Sequence, residues 1–556
     1  MSSSSAARGA RRRPSPYFPR GRQLDDTARS DVRSLLGDRP RDHDLLIEHL
    51  HLIQDEYGHL SAAHLTALAS EMKLSMTEVY EVATFYHHFD VVKEGEDAPP
   101  QLTVRVCDGI TCEMKGAKAL LEKLPGRLGQ DVRVIHAPCV GACDKAPVAV
   151  IKQRQVFEAT AENVQAAVEA GETMQPVPDY QDLAAYQADG GYTVLGECLA
   201  GTRSRDDVKG AVDASGLKGL GGAGFPTGRK WSFLDGTPKP RLVAINADEG
   251  EPGTFKDRYC FETEPHRVIE GALIAAWAVE AEGVYIYLRD EYPASREILL
   301  KEIAAVEAAG LNGDIRLHLR RGAGAYICGE ESGMLESIEG NRGLPRNRPP
   351  FPAQAGLWNR PTLINNVETM YWVPKIVAEG GDWYEAQGRP HFYSVSGRVN
   401  EPGVKLAPAG VTVRQLIDDH CGGMEDGHEF TAYLPGGASG GVLRAEHGDL
   451  PLDFGTLVDY GCFIGSSAVV IFSQDDNIKD ICRNLLQFFE DESCGQCTPC
   501  RVGCEKMLKL MDQETWDEPL MQELSQAMMD ASICGLGQAA PNPVLSAFRF
   551  FQEDLK

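Results

Sequence analysis

Fifteen cysteines lie unevenly along these 556 residues, and two compact groups of them have the spacing of metal ligands. Cys494, Cys497 and Cys500 form a C-x2-C-x2-C run. Three thiolates at that pitch make a tripod that leaves one corner of a cube to fill, which is [4Fe-4S] chemistry and a pattern zinc rarely uses. Two later thiols compete for that corner: Cys504, one helical turn beyond Cys500, and Cys534, set in Ser532-Ile533-Cys534-Gly535. The second group is Cys107 and Cys112, then Cys139 and Cys143, a C-x4-C and a C-x3-C separated by 26 residues. On chemistry alone four thiolates so placed suit [2Fe-2S] or zinc, although zinc prefers tighter C-x2-C knuckles. Such clustering in a long acidic chain points to metal ligation in a reducing compartment rather than to disulfides. Cys198, Cys260, Cys328, Cys421, Cys462 and Cys482 stand singly and read as small buried hydrophobes.

A third stretch has the chemistry of a nucleotide cradle. Six of the seventeen residues at 215–231 (SGLKGLGGAGFPTGRKW) are glycine, so the backbone can take positive φ and approach a flat or phosphorylated ligand that a Cβ would hold off. Lys230 adds a positive charge. Gly219, Gly221 and Gly224 satisfy G-x-G-x-x-G, but a dinucleotide fingerprint needs a strand before its glycines. Here 206–215 reads as a helix running into them, and the strand, 241–246, comes afterwards. A standard Rossmann NAD site is disfavoured. Beyond that strand lies an acidic turn, NADEGEPGTFKDR at 246–258, where open α/β sheets gather ligand contacts and where carboxylates can hold ribose or ribityl hydroxyls.

These two stretches, with GAYICGEE at 324–331 and PTLINNVET at 361–369, resemble in order and content the flavin- and NADH-binding subunit of respiratory complex I. That subunit type recurs in soluble NAD-linked formate dehydrogenases and hydrogenases. The resemblance implies that Gly219, Gly221, Gly222, Gly224 and Lys230 enclose FMN with Asn246, Asp248 and Glu249 behind them, and that Tyr326, Gly329, Glu330, Asn365 and Asn366 complete the site. It implies NAD contacts at Glu251, Glu331, Phe225, Phe233 and Phe351, the aromatics being suited to stacking on adenine. It also selects Cys534 over Cys504 as the fourth [4Fe-4S] ligand. VATFYHHF at 82–89 begins a second resemblance, to the complex I subunit with a thioredoxin-like iron-sulfur domain, which selects [2Fe-2S] for Cys107, Cys112, Cys139 and Cys143. Two positions depart from the pattern: Leu220 stands where Arg is common, and Arg348 where Lys is common. Hydride transfer between flavin and nicotinamide needs held geometry and excluded water rather than a general acid or base, so no side chain is assigned a catalytic role.

Holding these groups in place requires several domains, and the length allows three to five. The fold class is multidomain α/β and α+β. A basic arm at 1–24, with six arginines and no acid, is followed by a helical region at 25–98. His87 and His88 in that region read as structural, because neighbours on a helix point about 100° apart. A compact α/β unit of thioredoxin-like size at 99–172 carries the [2Fe-2S] cysteines, and 173–185 reads as a linker. The Rossmann-like FMN and NAD(H)-binding domain occupies 186–386. For 387–473 the resemblance implies a ubiquitin-like β-grasp fold, whose GGASGG run at 436–441 reads as a structural turn because no cation stands beside it. A helical [4Fe-4S] domain closes the chain at 474–556.

A net charge of −26 argues against nucleic acid or an anionic membrane as partner. No apolar run reaches the roughly 20 residues of a spanning helix, and the expectation is a cytoplasmic protein. Electron pairs at a flavin and single electrons at clusters demand a partner, and no motif suggests molybdopterin, nickel or quinone chemistry in this chain. The fusion of two subunit types and the tail SICGLGQAAPNP at 532–543 look most like the β subunit of a soluble, metal-dependent, NAD-linked formate dehydrogenase. Its partner would be a molybdenum or tungsten α subunit. The diaphorase subunit of an NAD-reducing hydrogenase and a complex I module are the alternatives within the class. Outside it stands a non-catalytic iron-sulfur relay with a decayed flavin site, which the intact glycines, Lys230, Asn246, Asn365 and Asn366 oppose.

Overall fold

Four parallel strands organise the middle of the chain, in the sheet order Thr362–Asn366, Arg241–Ala247, Ala281–Leu288 and Arg316–Arg321. The inner strand Arg241–Ala247 is an apolar run without a polar face, as a parallel strand covered by helices on both sides requires, with Val243, Ala244 and Ile245 fully buried, whereas the edge strand Arg316–Arg321 alternates polar and apolar residues. The last strand in sequence lies beside the first, so the winding reverses between Arg241–Ala247 and Thr362–Asn366. Ligand sites of open α/β sheets form outside the carboxyl ends of such a pair. Helices Pro265–Ala278 and Val367–Glu379 pack side by side on this sheet, and Gly271 sets their separation: a Cβ there would come within 2.0 Å of the Met370 carbonyl oxygen.

The computed structural model describes residues 22–555. Of the basic arm expected at 1–24, residues 1–21 lie outside that range, and Arg22 pairs with Glu94 at 3.1 Å. The expected helical region is built from Asp26–Leu36, Leu46–Tyr57, Ala62–Met72 and Met76–Ala83, the last opened by a reciprocal Ser75–Glu78 cap. It packs against the central sheet domain. Tyr86 donates to Ser337 Oγ and to the Asn341 carbonyl at 2.9 and 2.7 Å, and His88 pairs with Asp290 at 2.8 Å. His87 and His88 are not helix neighbours: the helix ends at Ala83 and both lie in the turn beyond it, His87 4.0 Å from Glu492 and His88 on Asp290.

The thioredoxin-like unit has the sheet order Val132–Ala137, Leu102–Cys107, Ala149–Ile151 and Arg154–Val156, with helices Ala117–Leu128 and Ala161–Glu169. The stretch read as a linker is pinned to the central domain: Tyr180 donates to Glu302 at 2.7 Å, and Asp182 caps helix Leu183–Ala188. Further on, a mixed five-stranded sheet runs Gly403–Pro408, Pro390–Gly397, Ala468–Ser473, Phe430–Leu434 and Leu443–Arg444, its second and third strands parallel and the other pairs antiparallel. Helices Ile478–Asp491, Thr498–Met511, Glu518–Ala531, Gly535–Ala539 and Asn542–Phe550 close the chain. Among the described residues no helix is long and apolar enough to cross a membrane.

The Gly271 contact predicts that Gly271→Ala lowers stability by about 1–3 kcal/mol through overpacking. Gly210→Ala, where a Cβ meets nothing within 4 Å inside helix Arg205–Ala214, should raise it by about 0.5–1 kcal/mol. Thermal midpoints of the two variants, measured side by side, check both signs.

Candidate redox site

At the reversal point of the sheet, Asn246 and Asn366 face one another in register at the strand ends. Asn246 donates to the Gly329 carbonyl at 2.8 Å and accepts from Asp248 N–H at 3.1 Å, clamping the acidic turn to the third loop. Asn366 caps helix Val367–Glu379 and donates to Asp257 Oδ2 at 2.6 Å. The glycine stretch follows helix Arg205–Ala214 and closes on itself, Gly219 N–H donating to the Phe225 carbonyl at 2.8 Å. Gly222 and Gly224 take φ of +119° and +63°, and a Cβ on Gly224 would strike the Phe454 ring at 2.4 Å. Only glycine satisfies both demands there.

Between these loops is a cavity of about 320 Å³. Of the residues expected around FMN, Gly221, Gly222, Asn246, Asp248, Glu249, Tyr326, Gly329, Glu330 and Asn366 line it. Gly219, Gly224, Lys230 and Asn365 do not. Lys230 instead faces Glu331 at 3.6 Å, and Asn365 is buried with its amide nitrogen unpartnered among the described residues. The cavity suits a flavin mononucleotide. A Cβ on Gly221 or Gly329 would crowd Asn366 or the Asp248 carbonyl at 3.0–3.1 Å, so glycine there lets these loops pack closely around the cavity, and Asp248 Oδ2 is buried with no partner among the described residues.

Carboxylates on this wall are buried, and burial is the first cause of their displaced titration. Glu249 accepts from Asp257 N–H, Arg258 N–H and Tyr292 O–H at 2.9–3.3 Å, yet burial and then the Asp257 charge push its carboxyl up to about 8. Burial also raises Asp248 well above the carboxylate range, and raises Glu251. Lys256, fully buried and not anticipated, pairs with Asp257 at 2.9 Å and Glu368 at 3.0 Å; these anions hold it above its usual range against the cost of burial. Its signal was present in the FKDR end of the acidic stretch.

Two walls come from outside the central domain. Glu251 accepts from Ser439 N–H at 2.8 Å and from the hydroxyls of Ser439 and Ser466. An anion therefore occupies the position beside the GGASGG run where a phosphate loop would need positive charge, in keeping with a structural turn. Gly535, Leu536 and Ala539, directly after Cys534, line the same cavity. Behind the acidic turn, Arg289 donates to the Glu249 carbonyl and, at 2.6 Å, to the Cys139 carbonyl, while Arg258 reaches Asp144 at 2.8 Å, which ties the thioredoxin-like unit to the central domain.

Both thiol groups converge. Cys107, Cys112, Cys139 and Cys143 are at most 5% exposed, with the sulfurs of Cys139 and Cys143 3.5 Å apart and Cys107 touching Cys112 and Cys139. Four buried thiols so gathered, none in a disulfide, fit a [2Fe-2S] cluster. Cys497 and Cys534 stand at the N-terminal caps of helices Thr498–Met511 and Gly535–Ala539, with Cys494 and Cys500 beside them. Helix N-termini favour the negative charge of a thiolate-bound cluster. Leu220, where Arg is common, is buried in the apolar core, and Arg348 pairs with Glu331 at 3.1 Å. Phe225, Phe233 and Phe351 are 38–51% exposed, and the first two rings lie 5.7 Å apart, an uncovered aromatic surface beside the glycine stretch.

Residues 212–375 match the Nuo51 FMN-binding domain family, 32–172 the thioredoxin-like [2Fe-2S] ferredoxin family, 392–443 the SLBB domain, and 480–556 the NADH-ubiquinone oxidoreductase-F iron-sulfur binding region. The second F subunit of NADH-quinone oxidoreductase in Rhizobium meliloti is 40% identical over 398 residues, spanning 68% of this chain and 94% of that protein. Its Aquifex aeolicus counterpart is 39% identical over 396 residues, 68% of this chain and 91% of that protein. A chain of the NAD+-reducing [NiFe]-hydrogenase, solved in the H2-reduced state, has a TM-score of 0.81 and 30% identity, covering 93% of this chain and 92% of its own.

Glu249 generates a pH prediction. Its carboxyl titrates near 8 folded and near 4.5 unfolded, so between those values the folded chain binds the extra proton and stability falls as pH rises. In Glu249→Gln this decline, about 1.4 kcal/mol per pH unit at its steepest, should disappear. Urea unfolding of both proteins from pH 5 to pH 8 measures the difference in slope.

Proposed function

The chain belongs to the family of NADH-quinone oxidoreductase F subunits, and on that premise we propose that it is the diaphorase subunit of a soluble NAD-linked complex, exchanging electrons between NAD(H) and a partner that handles the second substrate. One observation carries the reading. The loops suited to a flavin and the helix that begins at Cys534 are walls of a single cavity, so the station for electron pairs and the station for single electrons adjoin. FMN, when bound, supplies the conversion between hydride and single electrons.

The side chains contribute position and electrostatics. Gly221, Gly222 and Gly329 admit the flat ring system, Asp248 and Asn246 offer groups to ribityl hydroxyls, and Tyr326 closes the wall. The exposed Phe225, Phe233 and Phe351 give adenine a stacking surface, with Lys230, Glu331 and Arg348 as a charged rim. Glu249, its carboxyl raised to about 8 by burial, is protonated and neutral at neutral pH, so it gives the cavity a polar group rather than a negative charge.

For the partner, our reading is a formate-oxidising subunit, supported by the tail at 532–543, while the fused architecture is common to this reading and to the hydrogenase chain. A hydrogen-handling partner is the second reading, favoured by the likeness to the hydrogenase chain along nearly the whole length. Copurification with the catalytic subunit decides between them.

The chain expressed alone should contain one FMN and reduce an artificial acceptor with NADH. In Phe225→Ala/Phe233→Ala, KM for NADH should rise about tenfold with kcat little changed, since stacking on a base contributes about 1–3 kcal/mol. Absence of turnover in a sample with FMN and both clusters quantified would overturn the proposal that this chain alone completes the nucleotide site.

A further inference from the structure

One ligand sulfur of the expected [4Fe-4S] site already has donors against it. Cys500 lies in the first turn of helix Thr498–Met511, and Cys504, four residues on, shares its face. Cys504 is fully buried and its thiol contacts the Cys500 sulfur. The Ser493 hydroxyl stands 3.3 Å from that same sulfur. Nearby, the Ser532 hydroxyl is 6% exposed with no hydrogen-bond partner among the described residues. It borders Gly537, where a Cβ would lie 2.5 Å from Ser532 Oγ and 2.7 Å from Cys500 Cβ. Close approach of the Gly535–Ala539 helix thus leaves a buried donor unsatisfied beside the ligand set, a cost that an acceptor in the pocket would remove.

We propose that Cys504 and Ser493 are potential-setting residues, donating S–H and O–H hydrogen bonds to the Cys500 sulfur and raising the reduction potential of the [4Fe-4S] cluster, with Ser532 as a further donor to it. This rests on the reading that Cys494, Cys497, Cys500 and Cys534 are the ligands. A reduced cluster carries one more negative charge, shared between iron and sulfur, so a donor to sulfur stabilises the reduced form more than the oxidised one. The effect is strengthened by burial. The direction of donation follows from ligation itself: a metal-bound cysteine is a thiolate with no proton to give, so Cys500 accepts and the thiol and hydroxyl beside it donate. The extra thiol is accounted for without making it a fifth ligand.

The test is a redox titration of the full, cluster-loaded chain followed by electron paramagnetic resonance, with iron counted chemically. Cys504→Ala and Ser493→Ala should keep their iron and show midpoints displaced to more negative potential. Cys504→Ser, which retains a donor, should stay near the parent. An unchanged midpoint at full iron content in either alanine variant overturns the proposal. Loss of the cluster from Cys504→Ala together with its retention in Cys534→Ala overturns the ligand assignment, and the proposal with it. Should Cys504→Ala fail to fold, Ser493→Ala, outside any helix, carries the test by itself.

Discussion

The parallel pairing of Arg241–Ala247 with Thr362–Asn366 is the constraint on which the site depends. It brings two strand ends from opposite directions of winding to one line, and it leaves above them a gap that no helix can fill. Every loop of the cavity is referred to that line. Asn246 ties the acidic turn to Gly329, and Asn366 ties it through Asp257 to Lys256 and Glu368. A slip in this register would separate the asparagines and dissolve both ties.

The second determinant is burial of charge. Lys256, Asp257 and Glu368 lie at most 3% exposed, and such a group is tolerated because each member has a partner of opposite sign within 3.0 Å. Glu249 and Glu251 take another route, through backbone amides, serine hydroxyls and Tyr292. The price in desolvation is considerable, and the result is a rigid polar wall whose field is fixed in direction before any ligand arrives.

What could be read from the sequence follows from how local each constraint is. The cysteine runs were legible because a cluster dictates ligand spacing over a few residues, and the lone cysteines because each is at most 1% exposed. The central sheet announced itself through apolar runs and through the strand that follows, rather than precedes, the glycines. The contributions of Ser439, Ser466 and Gly535 were not legible, since they reach the cavity from domains some 190 to 280 residues beyond the acidic turn and bear no mark of that destination. Asn365 and Lys230 sit within matching motifs but outside the cavity lining, Asn365 buried and Lys230 3.6 Å from Glu331.

The junction between the thioredoxin-like unit with its helical lead-in and the central domain is rich in polar contacts: Arg289 on the Cys139 carbonyl, Arg258 on Asp144, His88 on Asp290, and Gly141 against Tyr292. Beneath these contacts one apolar core runs from the helical lead-in, with Leu46, Leu50 and Ile53, into the central domain, with Ile327, Leu335 and Ile338, so the junction closes on buried hydrocarbon as well. Covalent continuity through 173–185 adds a short tether that holds the two surfaces at an effective concentration on the order of millimolar. Fusion therefore fixes equal stoichiometry of the two cluster-bearing parts at every expression level.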